Sequence, residues 1–180
     1  YYVGRTFYGN TSSIVLFNYE APACIRVIDP EVDDVNRLLP ELLRDNAKYS
    51  NQNVILFNKE AVLPKQFYPN EPQHGWCYYF TKAELASQLG DYEKVVALGE
   101  EAISNGYAPE DLNEWLIFIE AYALTNDMDS AQKLSENTLS ADAKMRRGVC
   151  AVWKQIQARA DAKRDASKIA EIQSALGCIQ

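Results

Sequence analysis

The sequence predicts an α+β chain: a small N-terminal sheet with one or two helices, followed by an array of α-helical hairpins. Three observations carry this. Residues 1–60 hold short β-branched and aromatic runs separated by turn residues. Residues 61–75 are a connector with several prolines and no periodicity. From Trp76 onward helical spacing takes over, with breaks at "LGDY", "SNGYAPED", "TNDMD" and "SADAK". The expected organisation is therefore a small α/β subdomain over 1–60, a connector over 61–75, and a helical subdomain with a C-terminal capping helix over 76–180.

In the first segment "RTFYG", "SIVLFNYE" and "ACIRVID" read as strands of an antiparallel sheet with turns near Asn10 and Pro22. In "DPEVDDVNRLLPELLRDNAKYS", Asp29 is an N-cap candidate, Pro30 suits the first helical position, and acidic residues fill the first turn. Pro40 removes a backbone donor and crowds the preceding turn, so a short helix ends before it and a second begins near it. "QNVILFN" reads as a buried strand.

Tyr78–Ser104 reads as helix, tight turn, helix. Leu85 and Leu89 are expected to face inward before Gly90, and Val95, Leu98, Ala102 and Ile103 after it. Gly90 falls where the first helix must end in a left-handed residue. A second copy, "EWLIFIEAYALTNDMDSAQKLSENTLS", places Asn126 where Gly90 stood, and asparagine is the next-best residue for that conformation. Trp76, Tyr78, Tyr79 and Phe80 read as core packing or a helix entry. In "AKMRRGVCAVWKQIQARADAKRDASKIAEIQSALG", Met145, Val149, Val152, Trp153 and Ile156 form an apolar stripe for the capping helix, with a break expected near Arg164–Asp165.

These residues resemble the tetratricopeptide repeat. Gly90, Tyr92 and Ala102 in "LGDYEKVVALGEEA" match its turn and second helix. Trp115, Phe118, Tyr122 and Ala131 match its large and small packing positions in the second copy. Val95 and Thr138 stand where alanines belong, and Lys82 where an apolar residue belongs. The resemblance implies helix pairs stacked as a short solenoid.

Composition narrows the function. The net charge is −7, and the segments 1–70, 71–140 and 141–180 carry −1, −10 and +4. Such a chain lacks the clustered basic face that nucleic acid requires. The basic tail could meet anionic headgroups or an acidic partner; its alternative is a solvated face or a helix lying against the acidic pairs. No 18-residue apolar run exists. The chain starts at Tyr1 without an initiator Met or a signal pattern, which predicts a piece of a longer protein.

Cys24, Cys77, Cys150 and Cys178 are too widely spaced for a zinc site, and no other metal or cofactor is expected. They suit two disulfides in an oxidising compartment, or buried free thiols. His74 is the lone histidine and lies three residues before Cys77, but "PQHGWC" offers no acid to orient a Cys–His dyad. Adjacent acidic pairs such as Glu100/Glu101, Glu110/Asp111 and Asp33/Asp34 diverge on a helix and read as helix-start or solvent-facing charge. No phosphate-binding glycine loop is present. Asn10-Thr11-Ser12 fits a glycosylation sequon, a pattern common by chance.

Taken together, "FYGNTSSIVLFNYEAPACIRVIDPE", "WCYYFTKAELASQLGDYEKVVALGEEA" and the ending "LGC" resemble the soluble C-terminal region of bacterial multi-spanning membrane glycosyltransferases that use lipid-linked sugars. Pro22-Ala23 stands where that family's pattern has proline-glycine. The resemblance implies a domain on the extracytoplasmic face of a bacterial membrane, tied to the membrane by an N-terminal helical part. It implies disulfide-bonded cysteines and no catalytic residue in this segment. The expected role is a non-catalytic accessory domain that binds a protein, peptide or glycan acceptor. Its expected contact groove involves Tyr79, Glu84, Trp115, Glu120 and Tyr122, all of which could equally be packing residues. The alternative is a stand-alone cytosolic adaptor that binds a peptide.

Overall fold

The computed structural model describes residues 11–30, 33, 39–55, 64, 66–67, 74–159 and 166–178. It is mostly helical, with one small antiparallel sheet, and divides into two compact units: residues 1–18 with 26–72, and residues 19–25 with 73–180.

In the first unit, β1 (Phe17–Asn18) pairs antiparallel with β2 (Arg26–Val27), Phe17 opposite Val27 and Asn18 opposite Arg26. The Ile28 N–H donates to the Leu16 carbonyl at 2.9 Å and lengthens the ladder by one bond. Ile28, Leu39 and Ala47 form a small core with Leu16 against it. Asp33, fully buried, accepts from Arg26 Nη2 at 3.0 Å and from the Asp29 N–H at 2.9 Å, so both its oxygens are used. A buried carboxylate needs such partners to offset its lost hydration.

The pairing is shorter than the apolar runs suggest. The chain leaves the ladder after Asn18: Ala21–Pro22 is a cis peptide, and the Ala23 N–H closes the turn on the Glu20 carbonyl at 2.9 Å. A turn with cis-proline in its third position has this form. As expected, a helix starts at Pro40: α1 (Glu41–Asn46) follows it, and the Leu43 and Arg44 N–H groups bond its carbonyl. Where a strand is expected over "QNVILFN", Gln52–Val54 form a 3₁₀ turn, and residues 56–58 lie outside the described residues. The Asn51 side chain accepts from the Asn53 N–H at 3.0 Å, a local bond that competes with strand pairing. The strand expected in "RTFYG" and most of the helix expected after Asp29 lie outside the described residues.

The second unit is a row of three helix pairs: α2 (Trp76–Gln88) with α3 (Tyr92–Ser104), α4 (Leu116–Leu124) with α5 (Met128–Ala141), and α6 (Arg146–Ala158) with α7 (Ala166–Ala175). The first two pairs turn alike. Gly90 has φ +74° and the Asp91 N–H reaches back to the Ala86 carbonyl at 2.9 Å; Asn126 has φ +68° and the Asp127 N–H reaches the Tyr122 carbonyl at 2.8 Å. In each turn a left-handed residue satisfies helix-end carbonyls. The next aspartate then caps the following helix, Asp91 accepting from the Lys94 N–H at 3.2 Å and Asp127 from the Ser130 N–H at 3.0 Å.

Two cores fill the row. Trp76, Tyr79, Phe80, Ala83, Val95 and Phe118 anchor one; Ile119, Val149, Trp153, Ile156, Ile169 and Ile172 anchor the other. The stripe expected on the capping helix is buried in full, and Trp153 Nε1 donates to Ser135 Oγ at 3.0 Å inside it. Residues 164–165 lie outside the described residues.

Three expected inward positions differ. Leu89 is 62% exposed because α2 ends at Gln88 and the chain is already turning. Leu85 is half-buried, since the inward face of α2 runs Trp76, Tyr79, Phe80, Ala83 and Ala86. Ile103 is 49% exposed near the end of α3. Thr138 is buried, its hydroxyl donating to the Leu134 carbonyl at 2.8 Å, which shows how a threonine occupies a small-residue position. Lys82 is exposed and lies over the Tyr78 ring, 4.0 Å from its centroid.

Helices α3 and α4 approach closely at Gly99. A Cβ there would lie 2.6 Å from Phe118 Cδ1, and Phe118 is only 1% exposed. Gly99→Ala should therefore destabilise the helical unit by about 1–3 kcal/mol through overpacking, despite alanine's better helix propensity. Urea unfolding should show a lower midpoint with unchanged slope; an unchanged midpoint would mean that Phe118 can move aside freely.

Candidate functional site

The five residues expected to line a groove do not share one surface. Tyr79 is buried, its hydroxyl donating to Glu101 Oε1 at 3.3 Å and accepting from Asn105 Nδ2 at 3.1 Å. Glu84 is buried within α2. Glu120, on α4, lies 2.9 Å from Arg159 Nη2, an ion pair whose alignment falls outside that of a hydrogen bond. Burial raises the Glu120 carboxyl above its ordinary range, and the Arg159 charge opposes this. The Arg159 guanidinium also covers the Tyr92 ring at 5.5 Å. Tyr122 is half-buried; burial first, then the Glu100 and Asp127 charges, raise its hydroxyl. Trp115, of the five, lines the concavity described next.

That concavity is a groove of about 280 Å³. Its walls come from four segments: Ile103 of α3, Tyr107 in the loop after α3, Trp115 in the 3₁₀ turn Leu112–Trp115, and Leu134, Asn137 and Ala141 of α5. The loop is aimed by Gly106, at φ +81°, and by the Tyr107 N–H, which reaches back to the Ala102 carbonyl at 3.0 Å. The Tyr79 and Tyr107 rings lie 6.0 Å apart, so Tyr79 supports the wall from behind. The next turn begins with Asp111, whose side chain accepts from the Asn113 N–H at 2.9 Å. The helix-start reading of this acidic pair therefore holds for Asp111.

Trp115 is held by what lies next to it. Glu114 is 5% exposed; its Oε1 accepts from the Cys24 N–H at 2.6 Å and its Oε2 from Trp76 Nε1 at 2.5 Å. The Cys24 Sγ lies 3.4 Å from Oε2 but carries no proton, because Cys24 is disulfide-bonded to Cys77, so this is a contact only. Trp76 in turn packs edge-on against Trp115, with centroids 4.8 Å apart. Burial raises the Glu114 carboxyl above 4.5, the nearby Asp111 charge adds to this, and the two donated hydrogen bonds oppose it. The other disulfide joins Cys150 of α6 to Cys178, just after α7. His74 stacks on Tyr78 at 3.5 Å, and Cys77 holds no free thiol.

Sequence reasoning passed over Glu114 and the groove residues other than Trp115. Tyr107 sits in a segment read only as a break, and the role of Glu114 is made by Cys24 and Trp76, which are 90 and 38 residues away. Among the described residues no three His, Cys, Asp or Glu side chains converge as metal ligands, and no helix is long and apolar enough to cross a membrane. Compared with protein-family models, curated proteins and solved structures, the chain matches none.

The raised Glu114 carboxyl makes stability depend on pH. The folded chain keeps this proton where the unfolded chain has released it, so the contribution is full below 4.5 and fades as pH rises through the folded value. Comparing wild type with Glu114→Gln in urea at about pH 4 and about pH 7, wild type should lose ground to the variant at the higher pH. A difference that stays constant over this range would show that the carboxyl titrates normally.

Proposed function

We propose that this chain is a non-catalytic interaction domain, belonging to a membrane-embedded glycosyltransferase-like protein and lying on the extracytoplasmic side of a bacterial membrane. It holds a protein, peptide or glycan acceptor for the transferase part. The observation that carries this reading is the open groove beside Trp115. Its walls come from neighbouring segments of one packed helical unit, and a concavity with aromatic and amide groups suits recognition of a polymer segment. Two further features support it. The two disulfides suit an oxidising compartment. The matching turns at Gly90 and Asn126, 36 residues apart, suit a tetratricopeptide-like array, a scaffold whose faces commonly bind extended segments.

The test is to titrate isotopically labelled protein with short peptides and with neutral oligosaccharides while following backbone amide signals. Shifts should concentrate at Ile103, Tyr107, Trp115, Leu134 and Asn137. Perturbations confined to other surfaces, for any ligand that binds, would remove the groove as the recognition site.

A further inference from the structure

The chemistry of the groove narrows what it can hold, and the following rests on the interaction-domain reading above. At about 280 Å³ the groove lies at or below the lower end of sites that enclose a drug-sized molecule. Its size suits one or two anchoring side chains of a longer segment. Leu112, Trp115 and Leu134 make it apolar. Its lining is mainly apolar, and its side-chain polar groups are the Asn137 amide, the Tyr107 hydroxyl, the Trp115 indole N–H and the Thr138 hydroxyl, whose proton is already committed to the Leu134 carbonyl. A sugar presents a hydroxyl on almost every carbon, and this groove leaves most of them without a partner. The surrounding field is strongly one-sided. Between Glu100 and Asp142, the stretch that supplies the groove's lining, the chain has ten acidic residues and a single basic one, Lys133; Arg159 pairs with Glu120, Lys168 pairs with Asp129 and Glu114 is buried, which leaves seven other carboxylates.

We propose that the groove binds an extended cationic peptide segment, inserting an aliphatic or aromatic side chain against Trp115 and Leu134 with lysines or arginines on either side. The apolar contact supplies residence time. The acidic field attracts the flanking charges and rejects acidic segments. Both effects act at Ile103, which stands at the groove's edge and is half exposed.

The test uses the full chain and a fluorescein-labelled nonapeptide with a central leucine flanked by two lysines on each side, followed by fluorescence anisotropy. The lysine peptide should bind, its affinity should fall as salt rises from roughly 0.05 M to roughly 0.3 M, and the counterpart with glutamates for lysines should not bind. Ile103→Arg removes apolar contact and adds like charge, and should weaken binding about tenfold. Leu89→Arg adds the same charge at an exposed site outside the groove and should change affinity less than about twofold. Both positions are exposed enough to tolerate arginine. Equal weakening by the two variants would reduce the effect to general charge attraction and overturn the proposal. If chitotetraose shifts the groove amides while the lysine peptide does not bind, the cationic-peptide inference falls and the interaction-groove reading stands. If neither ligand perturbs the groove, both fall. A dimer in sedimentation that Ile103→Arg dissolves would assign the groove to a second copy of this chain and likewise overturn the proposal.

Discussion

One buried carboxylate holds together three parts of the helical unit. Glu114 receives the Cys24 N–H and the Trp76 indole N–H on separate oxygens. The loop 19–25, the first turn of α2 and the turn that leads into α4 therefore meet at one side chain. A carboxyl group withdrawn from water costs several kcal/mol, and each hydrogen bond to a charged acceptor returns about 1.5–3. The two bonds roughly offset the burial without erasing it, consistent with a carboxyl that still titrates high. The value of Glu114 is positional. Its chain neighbour is Trp115, whose ring is braced by Trp76, itself oriented by the Glu114 carboxylate. The groove wall thus inherits its direction from a hydrogen bond on the opposite side of the backbone.

The remaining construction is economical in kind. Helix ends are closed by a left-handed residue and a backward hydrogen bond after α2, α3, α4 and α7, at Gly90, Gly106, Asn126 and Gly177. The first and third of these pass straight into an aspartate cap. Close approach is needed at Gly99, where α3 meets Phe118, and at Gly177, where a Cβ would fall 2.3 Å from the Arg146 guanidinium that donates to the Leu176 carbonyl. Where residues larger than alanine stand at tight positions, as Val95 and Thr138 do, they are branched at Cβ, and the threonine hydroxyl is satisfied by its own helix.

What the sequence revealed follows from which interactions are local. The turns at Gly90 and Asn126 were legible because a left-handed conformation admits few residue types and the hairpin pattern recurs around it. The buried stripe of Met145, Val149, Val152, Trp153 and Ile156 was legible because helical spacing encodes a face directly. Cysteine pairing was not, since four cysteines allow three connectivities and spacing does not choose among them. Glu114 was invisible for a related reason: its partners come from distant segments, and an acidic residue at a helix start has an ordinary explanation. Residues Tyr79, Glu84, Glu120 and Tyr122 look like a recognition face on paper, but burial and the arrival of Glu101, Asn105 and Arg159 from other helices engage three of them. At Val54 a 3₁₀ turn stands in place of the expected strand, and the Asn51 side chain bonds the Asn53 N–H there, a local alternative to pairing.

The two disulfides sit at opposite ends of the helical row, one fixing the first turn of α2 and the other tying α6 to the residue just beyond α7. In a row where each helix pair packs only on the next, local opening ordinarily begins by fraying of the outermost pairs. Neither bridge joins an end pair to the middle pair: one ties α2 to the loop 19–25 and the other ties α6 to the residue just beyond α7. Opening at either end is therefore a movement of linked pieces, in which α6 leaves the row together with the end of α7, and the first turn of α2 together with the loop.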